Sequence, residues 1–523
     1  MIKVKFVSIE EGITALGFRR IVTIARLLNP ETEINFITTG NLYSLFTHFL
    51  PSRRTIFTDR DIKRIAKELS KCDLLCFSSM TSSAIYVSKI AKLVKKINPK
   101  IFIMWGGAHC IIYPEDAILS VDAISIGEGE ETFKDFYQAF VKKRTYLKTI
   151  GMWFRMKNKI IKNPSRPLVT PEQMSAFPHL YYDLDCKIYD FKLKTFRQFT
   201  RSDYLIYNGL SYRTLWTLGC PYSCIYCAND AYAAIDFHYR RIRYSNVDYI
   251  LDEIERGIRI YPFVSTVVFY DDNFIAIPEP ILREFGKKYK KRINLPFVVF
   301  GLHPNLVTNK KMEILGKAGM NRGRMGIQSG SEKTLAFYNR PTPLKNIVES
   351  SKILAEMAKK YKMIPPAYDI ISDNPVETRE DIVKSLELLY SLERPFTLTV
   401  FSLRVFPKTR LFEYFKKHPS IDIRKLGSSY LETRMTLDNI LLYVLATFKP
   451  PKIIFFWLLK KVRAYHEKQG SYPFFYWMAK TMYLTSRAIS HLKVLDFSAI
   501  VGPWGYYLWK MGFIRSRFRK QAD

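Results

Sequence analysis

The sequence predicts an α/β protein made of two successive α/β domains and a mostly helical C-terminal extension. Strand-like and helix-like patterns alternate through residues 1–145, and six more strand–helix units follow between residues 210 and 420. After residue 425 short apolar and aromatic runs replace this alternation. We therefore divide the 523 residues into a doubly wound Rossmann-like domain (1–145), a linker (146–205), a second α/β domain (206–425) and the extension (426–523).

Polar and small residues follow three of the strands predicted in the first domain. The predicted strands are Lys3–Ser8, Ile34–Thr38, Asp73–Ser78, Lys100–Trp105 and Ala123–Ile126, with helices at Gly17–Leu28, Asp61–Ser70 and Ala84–Ile97. Open α/β sheets bind ligands at the carboxyl ends of their strands. The candidate binding residues at those ends are Ser79, Thr81, Gly106, Gly107, Gly127 and Glu128.

Residues 146–205 are basic, aromatic and punctuated by prolines, which predicts an irregular linker between the domains. The second domain then shows six strand-like runs, each followed by a helical pattern. These runs are Thr214–Gly219, Thr266–Tyr270, Phe297–Gly301, Gly323–Gln328, Ala367–Ser372 and Thr397–Val405.

Three cysteines follow the first strand of the second domain. Cys220, Cys224 and Cys227 have the spacing C-x3-C-x2-C, and three thiolates can bind three irons of a four-iron, four-sulfur cluster. The fourth iron would stay open to a cofactor or substrate. A zinc knuckle or three unrelated buried thiols are the alternatives. Zinc sites usually pair a C-x2-C unit with a fourth Cys or His, which the neighbouring sequence lacks.

The cysteine motif, with Tyr226 just before its last cysteine, resembles that of the radical S-adenosylmethionine (SAM) enzymes. This resemblance implies a [4Fe-4S] cluster that binds SAM and cleaves it to methionine and a 5′-deoxyadenosyl radical. It also implies that the six strand–helix units form a partial (β/α)6 barrel. As in full barrels, the chemistry would lie at the carboxyl ends of the strands.

Further positions resemble motifs of the same family. Asp271, Asp272 and Asn273 match the motif whose acidic and amide groups lie near the SAM amine. Gln328 and Ser329 match a motif that could reach the ribose or carboxylate, and Tyr226 would contact adenine. Asp271, Asp272 and Asn273 could each instead belong to an ordinary turn at the end of a strand.

Most of the first 140 residues resemble the cobalamin-binding domain that precedes the radical module in a large subgroup of this family. The motif D-x-H-x-x-G, whose histidine binds cobalt in better-known cobalamin domains, does not occur here. His109 lies in the wrong loop for that role, and we expect it to be structural or to line a pocket. A Rossmann-like domain that holds no cofactor is the alternative.

The balance of charge favours anionic partners. Lysine and arginine number 81 against 48 acidic residues, a formal net charge of +33. Seven cysteines without a disulfide framework, an oxygen-sensitive cluster and an N-terminus without an apolar signal segment predict a reducing cytoplasm. Nucleic acid is not an expected partner. Enzymes that methylthiolate transfer RNA typically carry extra cluster cysteines and a small RNA-binding barrel, and neither is visible.

The extension combines apolar, aromatic and basic residues. Its apolar runs, such as Ile440–Phe448 and Ile453–Leu459, fall short of the roughly 20 residues that span a bilayer. From residue 451 onward there are 13 Lys or Arg and 3 Asp or Glu, and Arg515–Lys520 ends the chain with a basic run. This composition predicts peripheral contact with the inner face of the membrane. A lid over the barrel mouth is the alternative, and the two are compatible.

Together these features predict a cobalamin-dependent radical SAM enzyme that transfers a methyl group to an unactivated carbon of an apolar or lipid-like substrate. An external electron donor such as flavodoxin or ferredoxin would reduce the cluster. Radical carbon–carbon bond or ring formation without methyl transfer is one alternative. A non-catalytic cobalamin- or membrane-binding protein is another, although the intact cysteine triplet weighs against it.

Overall fold

A computed structural model describes residues 2–40, 57–157, 159–423, 433–464, 470–494, 496 and 505–513. The basic run Arg515–Lys520 lies outside these residues. Within the described part of the chain, no helix has both the length and the apolar character needed to cross a bilayer.

The first domain alternates strands and helices as the sequence predicts. Its elements are β1 (Val4–Glu10), α1 (Leu16–Leu28), β2 (Glu33–Thr38), α2 (Asp59–Leu69), β3 (Leu74–Ser79), α3 (Ala84–Ile97), β4 (Phe102–Gly106), α4 (Ala108–Ile112), α5 (Pro114–Ala117), β5 (Ala123–Ser125) and α6 (Glu130–Val141). The predicted bounds of α3 agree with the structure, and those of the five strands differ by at most two residues at either end.

The prediction of an irregular segment over 146–205 is wrong. It contains β6 (Met152–Met156), β7 (Lys159–Lys162), α7 (Pro171–Ala176), β8 (Lys187–Asp190), β9 (Thr195–Gln198) and α8 (Arg201–Asn208). Two hairpins, β6–β7 and β8–β9, pair with opposite edges of the first sheet. Each hairpin strand is only four or five residues long and depends on a distant partner, so the local sequence gave little sign of it.

The first sheet therefore has nine strands in the order β7-β6-β5-β4-β3-β1-β2-β8-β9. Its five central strands are parallel and doubly wound, and the strand order changes direction between β1 and β3. A ligand site is expected at the carboxyl ends of the strands beside such a change of direction. Apolar side chains bury both faces of the sheet.

The second domain holds an open six-stranded parallel sheet in the order β10-β13-β14-β15-β16-β17, which confirms the predicted partial barrel. Its elements, with a short ladder β11–β12 beside the sheet, are β10 (Ser211–Thr214), β11 (Thr217–Leu218), α9 (Ala228–Ile235), β12 (Arg243–Tyr244), α10 (Val247–Ile260), β13 (Thr266–Phe269), α11 (Glu279–Arg292), β14 (Phe297–Leu302), α12 (Asn309–Ala318), β15 (Met320–Gln328), α13 (Glu332–Phe337), α14 (Leu344–Lys360), β16 (Ala367–Ser372), α15 (Arg379–Ser391), β17 (Thr397–Ser402) and α16 (Arg410–Lys416).

The first strand of this sheet was predicted incorrectly as Thr214–Gly219. The parallel strand β10 ends at Thr214, and Thr217–Leu218 instead pair antiparallel with β12. The chain turns away at Trp216, whose backbone N–H donates to the Asp271 carboxylate at 3.2 Å. The cysteine loop therefore begins from the short β11–β12 ladder and not directly from the sheet.

The described part of the extension is helical, as predicted. It contains α17 (Leu437–Thr447), α18 (Lys452–Ala464), α19 (Pro473–Lys493) and α20 (Gly505–Lys510). Helix α17 packs against β17, α15 and α19, and α18 packs against α15. The buried Tyr483 hydroxyl on α19 accepts from the Leu398 N–H at 3.1 Å and donates to the Leu398 carbonyl at 2.6 Å. The hydroxyl thereby gives a hydrogen-bond partner to the N–H and the carbonyl of Leu398 on β17, an edge strand of the barrel sheet.

Removing this hydroxyl should destabilise the barrel. In a Tyr483→Phe variant, two buried backbone groups of Leu398 would lose their hydrogen-bond partner, at a cost of about 1–3 kcal/mol. The unfolding midpoint in guanidinium chloride should fall accordingly. Tyr113→Phe, which removes a hydroxyl from an exposed tyrosine, is the control and should change the midpoint little. Equal midpoints for both variants would contradict a role of Tyr483 at the edge.

Candidate active site at the facing edges of two sheets

The cysteine loop is held by backbone contacts on both of its sides. The Cys220 N–H donates to the Tyr239 carbonyl at 3.1 Å, and the Ile225 N–H donates to the Tyr338 carbonyl at 3.0 Å. Gly219 has a φ of +93°, and a Cβ there would lie 2.6 Å from the Tyr239 carbonyl oxygen. Glycine is therefore required at the start of the loop.

The structure brings the three cysteines into one short loop at the carboxyl end of the barrel sheet. Cys224 is buried, and Cys220 and Cys227 are half-buried. Burial raises the pKa of Cys220 to about 11 and that of Cys227 well above its usual range, and Asp272 acts in the same direction. A thiolate at these positions needs a cation in place of its proton, which iron would supply.

Among the described residues, no three His, Cys, Asp or Glu side chains converge on one point where a single metal ion could bind. A [4Fe-4S] cluster does not need three side chains that converge on one point, because each of its three thiolates binds a separate iron. The arrangement therefore suits a cluster with one open iron.

Arg340 lies beside the loop, although sequence reasoning missed it. Its side chain is buried, with one terminal nitrogen 3.5 Å from the Cys224 sulfur and the other donating to the Gly326 carbonyl at 2.6 Å. Arg340 follows the short helix α13 and belongs to no motif that the sequence displays. A cation that donates to a cluster sulfur would stabilise its negative charge.

Two buried polar atoms near the cysteines have no hydrogen-bond partner among the described residues. The first is Asn273 Oδ1, and the Nδ2 of the same amide lies 3.9 Å from the Cys220 sulfur. The second is Nε2 of His303, whose ring stacks on Tyr222 with centroids 3.6 Å apart. Buried atoms of this kind usually have a partner, so an acceptor and a ring nitrogen are available here to a polar cofactor such as SAM.

His303 is neutral at physiological pH. Burial, and secondarily Arg340, lowers its pKa to about 2. Its Nδ1 accepts from the Asn305 N–H at 3.2 Å, so we assign the ring proton to Nε2. The histidine thus offers a hydrogen-bond donor at the edge of the site without adding a charge.

The two acidic residues predicted near the SAM amine have different surroundings. The Asp271 carboxylate accepts from the N–H groups of Trp216 and Thr217, which positions the chain that leads to the cysteines. Burial raises its pKa to about 7. Burial also raises the pKa of Asp272, and a hydrogen bond with Asn229 opposes that effect. Of the two, Asp272 is the carboxylate whose charge raises the pKa of the Cys220 and Cys227 thiols.

The other residues predicted to contact SAM are Gln328, Ser329 and Tyr226. Gln328 ends β15 with a φ of +67°. The buried Ser329 hydroxyl lies 3.1 Å from Glu377 Oε1 and 3.1 Å from Ser385 Oγ, so its hydrogen bonds are made within the protein. The Tyr226 ring packs edge-on against Tyr338 with centroids 4.8 Å apart. Their contacts with SAM stay predictions.

The carboxyl edge of the first sheet offers a second set of buried hydroxyls. Thr81 Oγ1, Ser83 Oγ and Ser125 Oγ have no hydrogen-bond partner among the described residues. Gly107 has a φ of +93°, and a Cβ there would lie 2.9 Å from the Ser79 carbonyl oxygen. Unpartnered hydroxyls beside glycine backbone suit a large polar ligand such as cobalamin.

The other residues of this edge that the sequence predicts to bind a ligand include Gly106, Gly127 and Ser79. A Cβ on Gly106 would meet only the Ser125 Cβ at 3.9 Å, and one on Gly127 would meet no atom within 4 Å among the described residues. The buried Ser79 hydroxyl accepts from Trp105 Nε1 at 3.1 Å, so it is engaged within the core.

His109 is structural in its contacts, as expected. It stacks on Trp105 with ring centroids 4.9 Å apart, and its Nε2 lies 3.2 Å from an Asp116 oxygen. Burial lowers its pKa, so the imidazole is held neutral against that carboxylate. These contacts occupy one ring nitrogen and fix the plane of the ring.

Glu128, predicted to bind a cofactor, instead pairs with the barrel domain. Its carboxylate lies 2.7 Å from Arg243 on β12, and both side chains are at least four-fifths buried. Glu128 also accepts from the Val169 N–H at 2.7 Å. Helix α4, just after β4, packs against α9, just after the cysteine loop. The carboxyl edges of the two sheets therefore face one another.

Two family models match this chain. The model for the Radical SAM superfamily matches residues 214–389, which include the cysteine loop and the barrel strands β13 to β16. The model for the B12 binding domain matches residues 50–136. Fold and site together define a radical SAM enzyme with a cobalamin-binding domain. The chain belongs to the family of cobalamin-binding-domain radical SAM enzymes, whose cofactors are a [4Fe-4S] cluster, SAM and cobalamin.

Named relatives include methyltransferases. The chain is 25% identical over 362 residues to an uncharacterised methyltransferase of Pyrococcus horikoshii, covering 68% of this chain and 72% of that protein. It is 24% identical over 178 residues to the cobalamin-dependent radical SAM methyltransferase TokK of Streptomyces tokunonensis, covering 33% of this chain and 24% of TokK.

Solved structures share the fold at low identity. TsrM of Kitasatospora setae, a radical SAM methyltransferase with cobalamin and a [4Fe-4S] cluster bound, aligns with a TM-score of 0.62 and 13% identity, over 80% of this chain and 75% of TsrM. The cobalamin-dependent radical enzyme OxsB, with aqua-cobalamin and SAM bound, aligns with a TM-score of 0.60 and 14% identity, over 99% of this chain and 75% of OxsB.

The ion pair between the domains should contribute measurably to stability. Glu128→Gln would leave the mostly buried Arg243 without its counter-charge and should lower the free energy of unfolding by about 2 kcal/mol. Glu279→Gln, which breaks a solvent-accessible pair with Arg283, is the matched control and should lower the free energy of unfolding much less. Chemical unfolding of the three proteins gives the comparison. Equal costs would show that the domains meet without help from this pair.

Arg340 should raise the reduction potential of a cluster bound by Cys224. Arg340→Met removes the donor to the sulfur and should lower the potential by about 40 mV, the one-electron equivalent of a hydrogen bond worth about 1 kcal/mol. Arg340→Lys, which keeps a cation, should lower it less, and the exposed Arg283→Met should not change it. A potentiometric titration followed by electron paramagnetic resonance measures the potential. An unchanged potential in Arg340→Met would refute this effect.

Proposed function

We propose that this chain is a methyltransferase that uses cobalamin and radical SAM chemistry to methylate an unactivated carbon of an apolar or lipid-like substrate. The facing of the two carboxyl edges is the observation that carries the proposal. One edge bears the cysteine loop and the other bears the loops after β3, β4 and β5. A substrate between them would be within reach of both cofactors. The named methyltransferases among the relatives support the same reaction class.

The proposed roles follow from the contacts around the loop. Cys220, Cys224 and Cys227 would bind the cluster, and Asn273 would accept a hydrogen bond from the SAM amine. Arg340 would position Cys224 by its contact with that sulfur. When bound, the cluster supplies the electron that cleaves SAM to a hydrogen-abstracting radical, and cobalamin supplies the methyl group.

The interior of the barrel supports an apolar substrate. Side chains alternate along each strand, and Phe269 and Val299 belong to the core beneath the helices, so their neighbours Tyr270 and Phe300 point inward. These two rings lie 4.8 Å apart. The Arg324 guanidinium lies 4.9 Å from the centre of the Phe300 ring. Aromatic rings thus form part of the lining.

The charge of Arg324 is balanced within the protein. Its Nε donates to Asp369 at 2.7 Å, and its guanidinium lies 5.2 Å from the centre of the Phe401 ring. The buried Arg213 guanidinium also lies at this lining, 5.6 Å from the centre of the Tyr270 ring. The aromatic rings support a substrate with an apolar part, because apolar groups leave water for such surroundings at less cost than charged ones. They suit a lipid-like molecule and also an aromatic one.

Carbon–carbon bond or ring formation without methyl transfer is the second candidate. The contacts of His109 with Trp105 and Asp116 favour it, because they hold this histidine in the core and away from the role of a cobalt ligand. Anaerobic reconstitution with iron, sulfide and cobalamin, followed by metal analysis, separates the two. Cobalt near one per chain together with about four irons supports methyl transfer. Four irons without cobalt would refute it and leave the radical reaction.

The cysteine assignment has a direct test. Cys224→Ala should abolish the cleavage of SAM by the reduced, reconstituted protein, because the cluster would lose one of its three thiolates. Cys72→Ala, which removes a buried thiol of the first domain, is the matched control and should retain cleavage. Liquid chromatography of 5′-deoxyadenosine measures the reaction, and circular dichroism checks the fold. Cleavage by Cys224→Ala at the wild-type rate would refute the assignment.

We also propose that the enzyme works in the cytoplasm, at the inner face of the membrane, with an external reductant for the cluster. The composition of the extension supports the membrane contact, because α18 and α19 carry exposed aromatic residues and no acidic ones. Such a contact would give the enzyme access to a lipid-like substrate.

A further inference from the structure

Helix α18 is apolar on two opposite sides. Its inner side buries Phe455, Leu459 and Val462, and the Phe455 ring stacks on Tyr390 of α15 with centroids 4.0 Å apart. Its outer side exposes Ile453, Phe456 and Trp457, and Ile453 is 84% exposed. Packing against the barrel is therefore complete without the outer residues, which remain in contact with water.

Helix α19 repeats this arrangement over 21 residues. Tyr476, Ala479 and Tyr483 are buried against the rest of the chain. On the outside Phe474 is 73% exposed, and Phe475 and Met478 are exposed as well. We call six of the exposed apolar side chains of the two helices the apolar face: Ile453, Phe456, Trp457, Phe474, Phe475 and Met478.

Cations accompany the apolar face. Neither α18 nor α19 contains an Asp or Glu. Lys461 Nζ lies 5.5 Å from the centre of the Trp457 ring, and Lys480 Nζ lies 5.0 Å from that of Trp477. Lysines whose stems lie along aromatic rings can keep their ammonium groups at the level of lipid headgroups. This combination of aromatic rings and lysines is typical of helices that lie in a membrane interface.

We propose that the apolar face is a docking surface for an anionic lipid bilayer. The charge complementarity selects this partner, because the lysines of α18 and α19 would be attracted to negative headgroups. A second copy of the chain would bring the same lysines to the interface, and neither α18 nor α19 offers an acidic residue to balance them. A bilayer also accommodates six large apolar side chains without a matching groove.

The face lies near the mouth of the barrel. Asp373, just after β16, accepts from the Arg434 N–H at 3.0 Å and from Asn439 Nδ2 at 3.0 Å. The Tyr472 N–H, one residue before α19, donates to the Met435 carbonyl at 2.8 Å. The start of α19 is therefore tied to the carboxyl end of the barrel sheet. Docking would bring that end close to the bilayer, and the relevance of this position to a lipid substrate rests on the proposed function.

Flotation with vesicles tests the docking itself. The full-length protein is mixed with vesicles of phosphatidylcholine alone or with about 30% phosphatidylglycerol and separated on a density gradient. We expect binding to the anionic vesicles that is at least about tenfold stronger than to the neutral ones and that weakens in high salt. Absence of binding to the anionic vesicles would overturn the proposal.

A pair of matched variants tests the surface. The first variant carries Phe456→Ser, Trp457→Ser, Phe474→Ser and Phe475→Ser. The control variant replaces four exposed apolar residues of the first 205 positions and carries Leu27→Ser, Ile85→Ser, Leu119→Ser and Leu193→Ser. The first variant should bind the anionic vesicles at least about tenfold more weakly than the wild type, and the control should bind like the wild type. Equal binding by the two variants would overturn the assignment.

Two further measurements separate this proposal from its competitors. Cys224→Ala should float like the wild type, so the docking can be judged even if the proposed reaction is wrong. Sedimentation velocity without lipid should show the same oligomeric state for the wild type and the Phe456→Ser, Trp457→Ser, Phe474→Ser, Phe475→Ser variant. If the wild type formed a dimer that this variant lost, the face would be an interface between copies and the bilayer proposal would fail.

Discussion

The site depends on the mostly buried ion pair between Glu128 and Arg243. Glu128 follows β5 of the first sheet, and Arg243 lies on β12, which pairs with β11 immediately before the cysteine loop. One contact therefore ties the candidate cobalamin edge to the strand that leads to Cys220. Without it the two edges would have no charged link at this point, and the distance between the proposed cofactors would be less well defined.

In each domain the parallel sheet provides a ligand site at the carboxyl ends of its strands. The sheets alone do not determine how these two carboxyl edges are oriented relative to one another. Here α4 packs on α9, and the Thr14 hydroxyl after β1 accepts from Arg213 of β10 at 2.7 Å. Further contact comes from the buried Tyr182, whose hydroxyl donates to the Arg213 carbonyl at 2.7 Å. These contacts hold the first domain and the barrel against one another.

Much of the fold could be predicted from the sequence because its strands and helices alternate with strong periodicity. The strand Ala367–Ser372 and the helix Ala84–Ile97 have the predicted bounds. The failures occur where a distant partner decides the structure. Asp271 draws the chain away at Trp216, which ends the first barrel strand early. The hairpin strands of 146–205 form only because an existing sheet edge accepts them.

The same limit applies to the site. The cysteine spacing identifies a cluster motif by itself, since three ligands within eight residues need no tertiary context. Glu128 was expected to meet a cofactor, but its partner Arg243 lies 115 residues away and no local pattern marks the pair. Arg340 and His303 went unnoticed for a related reason. A buried cation and a neutral buried imidazole are recognised by their surroundings and not by their sequence neighbours.

The Tyr483 hydroxyl, bound to both backbone groups of Leu398, has a consequence for how the molecule would work at a surface. It ties α19 to the backbone of the barrel, so α19 cannot swing away as a hinged cover without breaking both hydrogen bonds. We therefore expect α19 to keep its orientation relative to the barrel. A molecule anchored in a bilayer would then meet the active site at a constant height and tilt. The distance between the bilayer and the active site would then determine which carbon along the lipid chain is modified.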